Sequence, residues 1–351
     1  MENFGEKICN WYEEHGRDLP WRSGRDPYKI WLSEIILQQT RISQGLSYYL
    51  KFAEHYPDVH SLAKAGEEEV LKLWQGLGYY SRARNLHHTA KLIVREHQGV
   101  FPGSYEGLLK LKGIGEYTAA AIASIAFDEA MAVVDGNVIR VLARIFGIQE
   151  AFDKAGGKKL FRDRANELIK GNDPAKFNQA LMDFGAIVCT PAKPGCETCI
   201  FKKHCFAYRH EQVKELPIRS PGIKIKQRYF HYLVMQTKEE PPKIVICKRS
   251  ANDIWKNLYD FPLVENNRQL DWNTLSKTKA FSTLTANKPF RLLADHGHYK
   301  QQLTHQLIHA SFFIMRVDAI DVPQNCKLVK KKDILKYPVS RMIEKFLENY
   351  L

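Results

Sequence analysis

The chain has 351 residues, enough for two domains of ordinary size that each bury a core. Lys and Arg number 52 against 39 Asp and Glu, giving a formal net charge of +13. This excess argues against an acidic small-molecule ligand and favours a polyanion, with nucleic acid first and an anionic membrane second. No apolar run is long enough to span a membrane and residues 1–24 lack a secretion signal, so we expect a soluble intracellular protein.

Helical periodicity dominates the first part of the chain. Apolar residues recur at helical spacing in the stretches 31–39, 108–111 and 138–145, and β-branched runs are few. The sequence therefore predicts an almost all-α domain over residues 1–211.

Glu34 lies inside one of these apolar stretches. On a helix, its neighbours at i−4 and i+3 are Ile30 and Leu37, so the carboxylate shares a face with aliphatic groups. Desolvation there would raise its pKa and make it a general acid near neutral pH. The alternative is a glutamate at a solvent rim.

Two short motifs follow in the helical region. The glycines Gly113 and Gly115 separate two helical stretches and would let backbone N–H groups approach a phosphate, although a tight turn alone explains such a pair. Asp135 and Asn137 precede another helix, where the alternative is an ordinary helix cap.

Four cysteines close the helical region with the spacing C-x6-C-x2-C-x5-C. Such thiolates ligate an iron–sulfur cluster or zinc, and because only one pair is close we rank a 4Fe-4S cluster above zinc. The other cysteines, Cys9, Cys247 and Cys326, leave little for a disulfide framework. The ligands of this loop, residues 189–205, would be Cys189, Cys196, Cys199 and Cys205.

The composition changes after residue 211. Residues 212–227 mix Pro217, Pro221 and Gly222 with basic side chains, which predicts a basic linker. Residues 228–351 contain strand-like stretches at 229–237, 243–248 and 311–317, which predict a mixed α+β domain. The whole chain is thus expected to be a multidomain protein.

Several segments of the sequence are distinctive. They are LPWR (19–22), PYKIWLSE (27–34), LQQT (37–40), GLGYYSRARNL (76–86) and the cysteine cluster. Together they resemble the MutY family of adenine DNA glycosylases, and residues 111–119 resemble the helix-hairpin-helix of base-excision glycosylases. The resemblance implies an all-α helix-hairpin-helix domain with a 4Fe-4S loop. It also implies a monofunctional glycosylase, acting as a monomer on double-stranded DNA, that flips out and removes adenine mispaired with 8-oxoguanine or guanine, leaving an abasic site. In a bacterium it would be cytoplasmic and nucleoid-associated.

The resemblance also assigns catalytic roles. Glu34 would protonate the leaving base, and Asp135, oriented by Asn137, would stabilise or trap the sugar cation. Lyases related to endonuclease III carry a lysine where this chain has Tyr117, and a phenol forms no imine. Two alternatives remain at this point: such a lyase, and a catalytically silent DNA-binding or electron-transfer protein.

Residues for the base and the duplex follow by the same resemblance. Tyr80 is interpreted as a core aromatic, and Arg140 as either a phosphate contact or a surface charge. The cluster loop would hold Lys193, Lys202 and Lys203 against phosphates. The adenine pocket would comprise Trp21, Arg22, Leu37 and Gln179, and the residues that contact or wedge into DNA would be Gln39, Thr40, Tyr79, Gly113 and Gly115.

Residues 255–262 resemble a segment of the MutY C-terminal domain, which is related to the Nudix hydrolase MutT. No segment between residues 228 and 351 supplies the acidic helix of a working Nudix hydrolase, so this Nudix-like domain should bind rather than hydrolyse. Its family task is 8-oxoguanine recognition, for which Thr304 and His305 stand in the corresponding loop. The alternative is a metal site formed by His296, His298, His305 and His309.

Overall fold

The structure, a computed structural model, describes residues 3–222, 225–317, 322 and 325–351. Backbone contacts divide the chain into two units. The first comprises the residues up to Lys64 together with Asn85–Pro221, and the second comprises Ala65–Arg84 and the described residues from Gly222 onward. Within the described part, no helix has the length and apolar character needed to cross a membrane.

The predicted helical region is confirmed. Its α-helices are joined by turns and by a short 3-10 helix at Pro20–Arg22. Helix α5 and the first residues of α6 group with the second unit. The helices are α1 (Phe4–His15), α2 (Pro27–Leu37), α3 (Ile42–His55), α4 (Val59–Lys64), α5 (Glu67–Leu73), α6 (Ser81–His97), α7 (Tyr105–Leu109), α8 (Glu116–Phe127), α9 (Gly136–Phe146), α10 (Ala155–Leu168), α11 (Pro174–Ile187) and α12 (Phe206–Arg209).

Helix α8 forms the centre of the first unit. Every residue from Thr118 to Ile125 is buried, as expected for a helix that is apolar on all sides. It packs against α2, α7 and α11, and α11 also packs against α1 and α9. This packing brings side chains of α2, α8 and α11 to one place, where the candidate site lies.

The predicted basic linker is partly attached to the helical unit. Leu216 is buried and its carbonyl accepts from Arg144 Nε at 3.1 Å. Farther along, the backbone N–H of Phe152 donates to the carbonyl of Ile218 at 3.1 Å. Residues 223 and 224 of the predicted linker lie outside the described residues, and the first strand begins at Lys226.

The described residues of the second unit form a seven-stranded sheet. Its main path runs β3-β2-β1-β6-β5, with β4 paired to β1 and β7 to β2. Strands β1 and β6 are parallel and the other pairs are antiparallel. The three predicted strands are confirmed as β1, β2 and β6. The elements are β1 (Lys226–Gln236), β2 (Lys243–Lys248), β3 (Tyr259–Asp260), β4 (Leu263–Asn266), α13 (Trp272–Leu275), α14 (Lys279–Thr285), β5 (Phe290–Gln302), β6 (Gln306–Val317), β7 (Cys326–Lys330) and α15 (Arg341–Tyr350).

Residues 65–84 belong to the sheet unit and not to the helical domain that their periodicity predicts. Glu68 Oε1 accepts from Lys248 Nζ at 2.7 Å and from the Tyr259 hydroxyl at 2.8 Å. The hydroxyl of Tyr80 donates to the carbonyl of Val339 at 3.0 Å. Helical periodicity does not specify the tertiary partner of a helix, so the sequence pattern could not assign this segment.

The sheet also contains a disulfide, which the sequence analysis did not anticipate. Cys247 and Cys326 are directly opposed in the β2–β7 ladder and are bonded to each other. The two residues are separated by 79 positions, so only the strand register reveals the pair.

Candidate active site

The helix-hairpin-helix implied by the resemblance of residues 111–119 consists of α7, the turn 110–115 and α8. Gly113 has φ +83°, and a Cβ at this position would lie 2.7 Å from Asn85 Cβ. Both the left-handed backbone and the close packing therefore require glycine. Gly115 precedes the first turn of α8, where backbone N–H groups point out of the helix and favour an anion.

Glu34 is buried on α2, with 8% of its surface exposed. Burial, followed by the nearby charge of Asp135, raises the pKa of its carboxyl to about 7, although a hydrogen bond from Tyr117 and the charge of Arg22 act in the opposite direction. The carboxyl is thus partly protonated near neutral pH. The solvent-rim alternative is wrong because α8 and its neighbours cover this face of α2.

Tyr117 lies beside Glu34 at the start of α8. Burial raises the pKa of its phenol well above the ordinary value, so the hydroxyl stays neutral. The hydroxyl hydrogen-bonds Glu34 and lies 3.4 Å from Met182 Sδ. Because a phenol has one hydrogen, it donates to Glu34 when that carboxylate is ionised and is free to donate to the sulfur when Glu34 itself donates.

Asp135 is both an N-cap and a candidate site residue, so its two interpretations are compatible. Its Oδ1 accepts from the backbone N–H of Val138 at 2.7 Å, which caps α9, and its Oδ2 accepts from Asn137 Nδ2 at 2.8 Å. Burial raises the pKa of Asp135, while these two bonds counteract the increase. Asp135 is close enough to Glu34 for their charges to interact.

Arg140 fits neither interpretation offered by the sequence. It is buried, and its Nη2 donates to Asn137 Oδ1 at 2.8 Å and to the carbonyl of Gly185 at 2.6 Å. Its Nε donates to the carbonyl of Cys189 at 2.6 Å. The guanidinium therefore connects α9 with the end of α11 and holds the Asn137 amide.

The residues assigned to the base pocket occupy three elements. Trp21 is buried in the 3-10 helix and contacts Tyr49 edge to face, with ring centroids 4.9 Å apart. Arg22, next in sequence, forms an ion pair with the buried Asp183 of α11. Gln179, one turn before Asp183, accepts a hydrogen bond from the hydroxyl of Tyr12 at 2.6 Å.

Sequence reasoning missed Asp183 and Tyr12. The position of Asp183 was a usable signal. It is a charged residue in the mostly apolar helix α11, four positions after Gln179, and positions i and i+4 share a helix face. No sequence pattern indicated Tyr12. Leu37 is half-buried at the end of α2, where a Cβ on Gly45 would approach its Cδ2 to 2.6 Å.

The proposed DNA-wedging residues lie in turns with unusual backbone. Gln39 has φ +54° and Tyr79 has φ +47°, a left-handed backbone conformation that residues other than glycine rarely adopt. Gln39 is exposed and Thr40 is half-buried. Tyr79 is 48% exposed, whereas Tyr80 is 5% exposed, which confirms Tyr80 as a core aromatic.

Thr304 and His305 occupy the turn between β5 and β6. The hydroxyls of Thr304 and Tyr79 are 2.6 Å apart, and both residues belong to the sheet unit. A cavity of about 330 Å³ lies beside this contact, and its lining includes Trp255 and His305. The histidine metal site is not formed: among the described residues no three ligating side chains group for an ion, and His298 instead hydrogen-bonds His309 at 3.1 Å.

The four cysteines of the loop 189–205 are free thiols between α11 and α12. Burial, and after it the neighbouring Cys189, Cys205 and Cys196, raise the pKa of Cys199 to about 11. In the described part of the chain, no three ligating side chains are grouped for one metal ion. The Phe201 N–H donates to Cys199 Sγ at 3.4 Å and Arg144 Nη1 to Cys189 Sγ at 3.5 Å. Four thiols with such donors fit an iron–sulfur cluster.

The lysines of this loop differ in their partners. Lys202 Nζ forms an ion pair with Glu197 at 2.5 Å. Lys193 and Lys203 are exposed, and across the described ranges no acidic side chain is recorded within ion-pair distance of either. Lys193 and Lys203 are therefore better placed than Lys202 to meet a phosphate.

Comparisons with known proteins agree with this fold. The HhH-GPD superfamily of base excision DNA repair proteins matches residues 32–167. The chain is 34% identical over 326 residues to an adenine DNA glycosylase of Buchnera aphidicola subsp. Baizongia pistaciae, covering 92% of this chain and 88% of the relative. A solved thermostable thymine-DNA glycosylase superposes with a TM-score of 0.55 at 34% identity, covering 59% of this chain and 95% of that one.

A second relative extends the match through the sheet unit. The adenine DNA glycosylase of Buchnera aphidicola subsp. Acyrthosiphon pisum is 31% identical over 354 residues, covering 99% of this chain and 97% of the relative. The predicted family is thereby confirmed. The chain belongs to the adenine DNA glycosylase family, whose helical domain is that of the HhH-GPD base excision DNA repair enzymes.

Proposed function

We propose that this protein acts as a monomer on duplex DNA and excises adenine mispaired with 8-oxoguanine or guanine, leaving an abasic site. The observation that carries the proposal is the burial of Glu34 beside Asp135 and Tyr117, which raises the pKa of its carboxyl to about 7. A carboxyl with this pKa can hold a proton at neutral pH and deliver it to a leaving base.

The reaction starts with proton transfer. Glu34 donates its proton to N7 of the flipped adenine, and the C1′–N9 bond breaks with its electron pair moving to the base. The Asp135 carboxylate stabilises the oxocarbenium-like sugar, or traps it for a short time. Water then adds to C1′ and returns a proton to Glu34, which restores the acid.

The reaction should stop at base removal. Tyr117 occupies the position of the lysine that forms an imine in lyases, and its neutral phenol cannot form one. Borohydride should therefore trap no covalent protein–DNA adduct. Appearance of such an adduct would favour the lyase alternative.

We propose that Cys189, Cys196, Cys199 and Cys205 hold a 4Fe-4S cluster, which would supply a fixed centre for the loop rather than take part in base removal. Arg144 and the Phe201 N–H would donate to the ligating sulfurs. Protein purified without oxygen should be brown and should contain iron. Colourless protein with its thiols intact would contradict the cluster.

The sheet unit is proposed to be a Nudix-like domain that recognises 8-oxoguanine. Tyr79, Thr304 and His305 meet around one cavity of that unit and offer hydroxyl and imidazole groups to the lesion. Thr304→Val should lower the preference for 8-oxoguanine over guanine as the opposite base, because the variant lacks the hydroxyl.

The deciding experiment is a glycosylase assay on duplexes with adenine opposite 8-oxoguanine, guanine and thymine. We expect release from the first two and little from the third. Glu34→Gln should release no adenine while retaining DNA binding. If Glu34→Gln released adenine at the wild-type rate, the catalytic assignment would be wrong and a DNA-binding role would be favoured.

A further inference from the structure

A chain of polar groups connects the buried Asp183 with Gln179 through residues on three elements. Asp183 is fully buried and accepts from the guanidinium groups of Arg17 and Arg22. Arg22 Nη1 also lies 3.3 Å from the hydroxyl oxygen of Tyr12, and that hydroxyl is 2.6 Å from Gln179 Oε1. The series of hydrogen bonds therefore runs from Asp183 through Arg22 and Tyr12 to Gln179.

The chemistry of these groups fixes the direction of every bond. An arginine only donates, so Tyr12 must accept from Arg22. The single phenolic hydrogen of Tyr12 is then directed toward Gln179, and the amide atom that receives it must be the oxygen. Burial would raise the pKa of Asp183, but hydrogen bonds from Arg22 and Arg17 hold it below the ordinary value, so the acceptor at the head of the chain stays ionised.

The amide of Gln179 is left with an unused donor. Gln179 is 9% exposed, its Oε1 is occupied, and within the described residues no protein acceptor is recorded for its Nε2. We propose that Tyr12, directed by Asp183 and Arg22, locks the Gln179 amide so that its N–H group faces the base and selects a purine whose N1 is a hydrogen-bond acceptor. Tyr12 is thus a positioning residue for specificity.

This inference rests on the proposed adenine excision. The chemistry of purines explains how a fixed Gln179 amide would distinguish adenine from guanine. Adenine has acceptor nitrogens at N1 and N3, whereas guanine carries a hydrogen on N1. A fixed N–H donor facing N1 would accept adenine and oppose guanine, but an amide free to turn would also offer its oxygen and lose the distinction.

The test measures single-turnover excision opposite 8-oxoguanine for deoxyadenosine and for its 1-deaza and 3-deaza analogues. Both analogues retain N7, the atom that Glu34 would protonate. We expect the wild type to excise the 1-deaza analogue about fivefold more slowly than adenine, the effect of losing one hydrogen bond, and the 3-deaza analogue at the adenine rate. Tyr12→Phe should bring that ratio close to one, because the amide can then turn.

Tyr28→Phe is the matched control, since it also removes a buried hydroxyl whose hydrogen bond, 2.6 Å to the carbonyl of Tyr56, lies outside this chain of residues. It should keep the wild-type ratio. Gln179→Glu, which keeps an acceptor for Tyr12 and loses both amide hydrogens, should also bring the ratio to one if Tyr12→Phe does not fold.

Three results would overturn the proposal: equal excision of all three bases by the wild type, a uniform slowing by Tyr12→Phe with an unchanged ratio, or an unchanged ratio in Gln179→Glu. Failure of the wild type to release adenine from any duplex would overturn the proposed function as well. The two failures are therefore distinguishable in the same assay.

Discussion

The carboxyl group of Glu34 has lost most of its contact with water, and its acidity follows from that loss. Its pKa of about 7 lies above the ordinary glutamate value, so the group is protonated below pH 7 and loses its proton as the pH rises through 7. If it is the general acid, the single-turnover rate of adenine excision should fall as the pH rises above 7. A pH–rate profile checks this expectation, and a level rate up to pH 9 would contradict it.

Tyr117 should affect the pH at which the excision rate falls. Its hydrogen bond to Glu34 favours the ionised carboxylate, so Tyr117→Phe should raise the pKa of Glu34 and move the falling limb to higher pH. We expect only a modest loss of rate below pH 7, about tenfold or less, because the acid itself remains. A limb that moves to lower pH would show that the phenol does not donate to Glu34.

At the scale of single elements, Asp135 has two roles: it caps helix α9, and it supplies a negative charge to the candidate active site. Asp135→Asn keeps an oxygen for the Val138 N–H, whereas Asp135→Ala removes it, so Ala should cost about 1 kcal/mol of unfolding free energy and Asn much less. Both variants should slow adenine excision at least about a hundredfold, because neither carries a negative charge. Urea unfolding and single-turnover assays check the two effects.

Equal destabilisation by the two Asp135 substitutions would mean that the α9 cap does not depend on the side-chain oxygen. Normal excision by Asp135→Asn would show that the mechanism does not need the negative charge of Asp135. The two measurements therefore separate the structural role from the chemical one.

The cysteine loop gives a second prediction at this scale. Each phosphate neutralised by a lysine adds about 0.9 to the slope of log binding constant against log salt concentration. Lys203→Ala should lower this slope by about that amount, and Lys202→Ala should lower it less, because Lys202 already pairs with Glu197. Binding titrations in the Glu34→Gln background, which avoids turnover, measure both. Equal slopes for the two variants would contradict the distinction.

How much was predictable from sequence differs between elements. The helical stretches around residues 31–39 and 138–145 and the three strands have clear periodicity. Ile30 and Leu37 favour a buried Glu34 but leave a solvent rim open, because periodicity does not show that α8 covers this face of α2. The Tyr12–Gln179 bond joins residues 167 positions apart, and local patterns carry no information about such contacts. The burial of Arg140 escaped prediction for the same reason.

At the scale of the whole molecule, the segment 65–84 depends on residues from the other end of the chain. Truncation after residue 221 removes the partners of Glu68, Tyr79 and Tyr80. We expect the backbone amides of residues 67–80 to exchange hydrogen faster in the truncated protein, because their packing surface is lost. Adenine excision should also fall whatever the opposite base, since Tyr79 is then poorly held.

Full-length Thr304→Val serves as the control for this truncation. It removes the hydroxyl partner of Tyr79 but keeps the rest of the sheet, so exchange in residues 67–80 should stay slow. Hydrogen exchange followed by mass spectrometry measures both proteins. Unchanged protection after truncation would show that the segment is stable on the helical unit alone.

The assignment of residues 65–84 to the sheet unit also limits how this gene can recombine with its relatives. A single crossover near residue 221 would join Tyr79 and the α5–α6 turn from one parent to a β5–β6 turn from the other. Such a hybrid would inherit two surfaces that were never selected together. We expect a working chimaera to require a double exchange, in which residues 65–84 and the region after residue 221 come from the same parent.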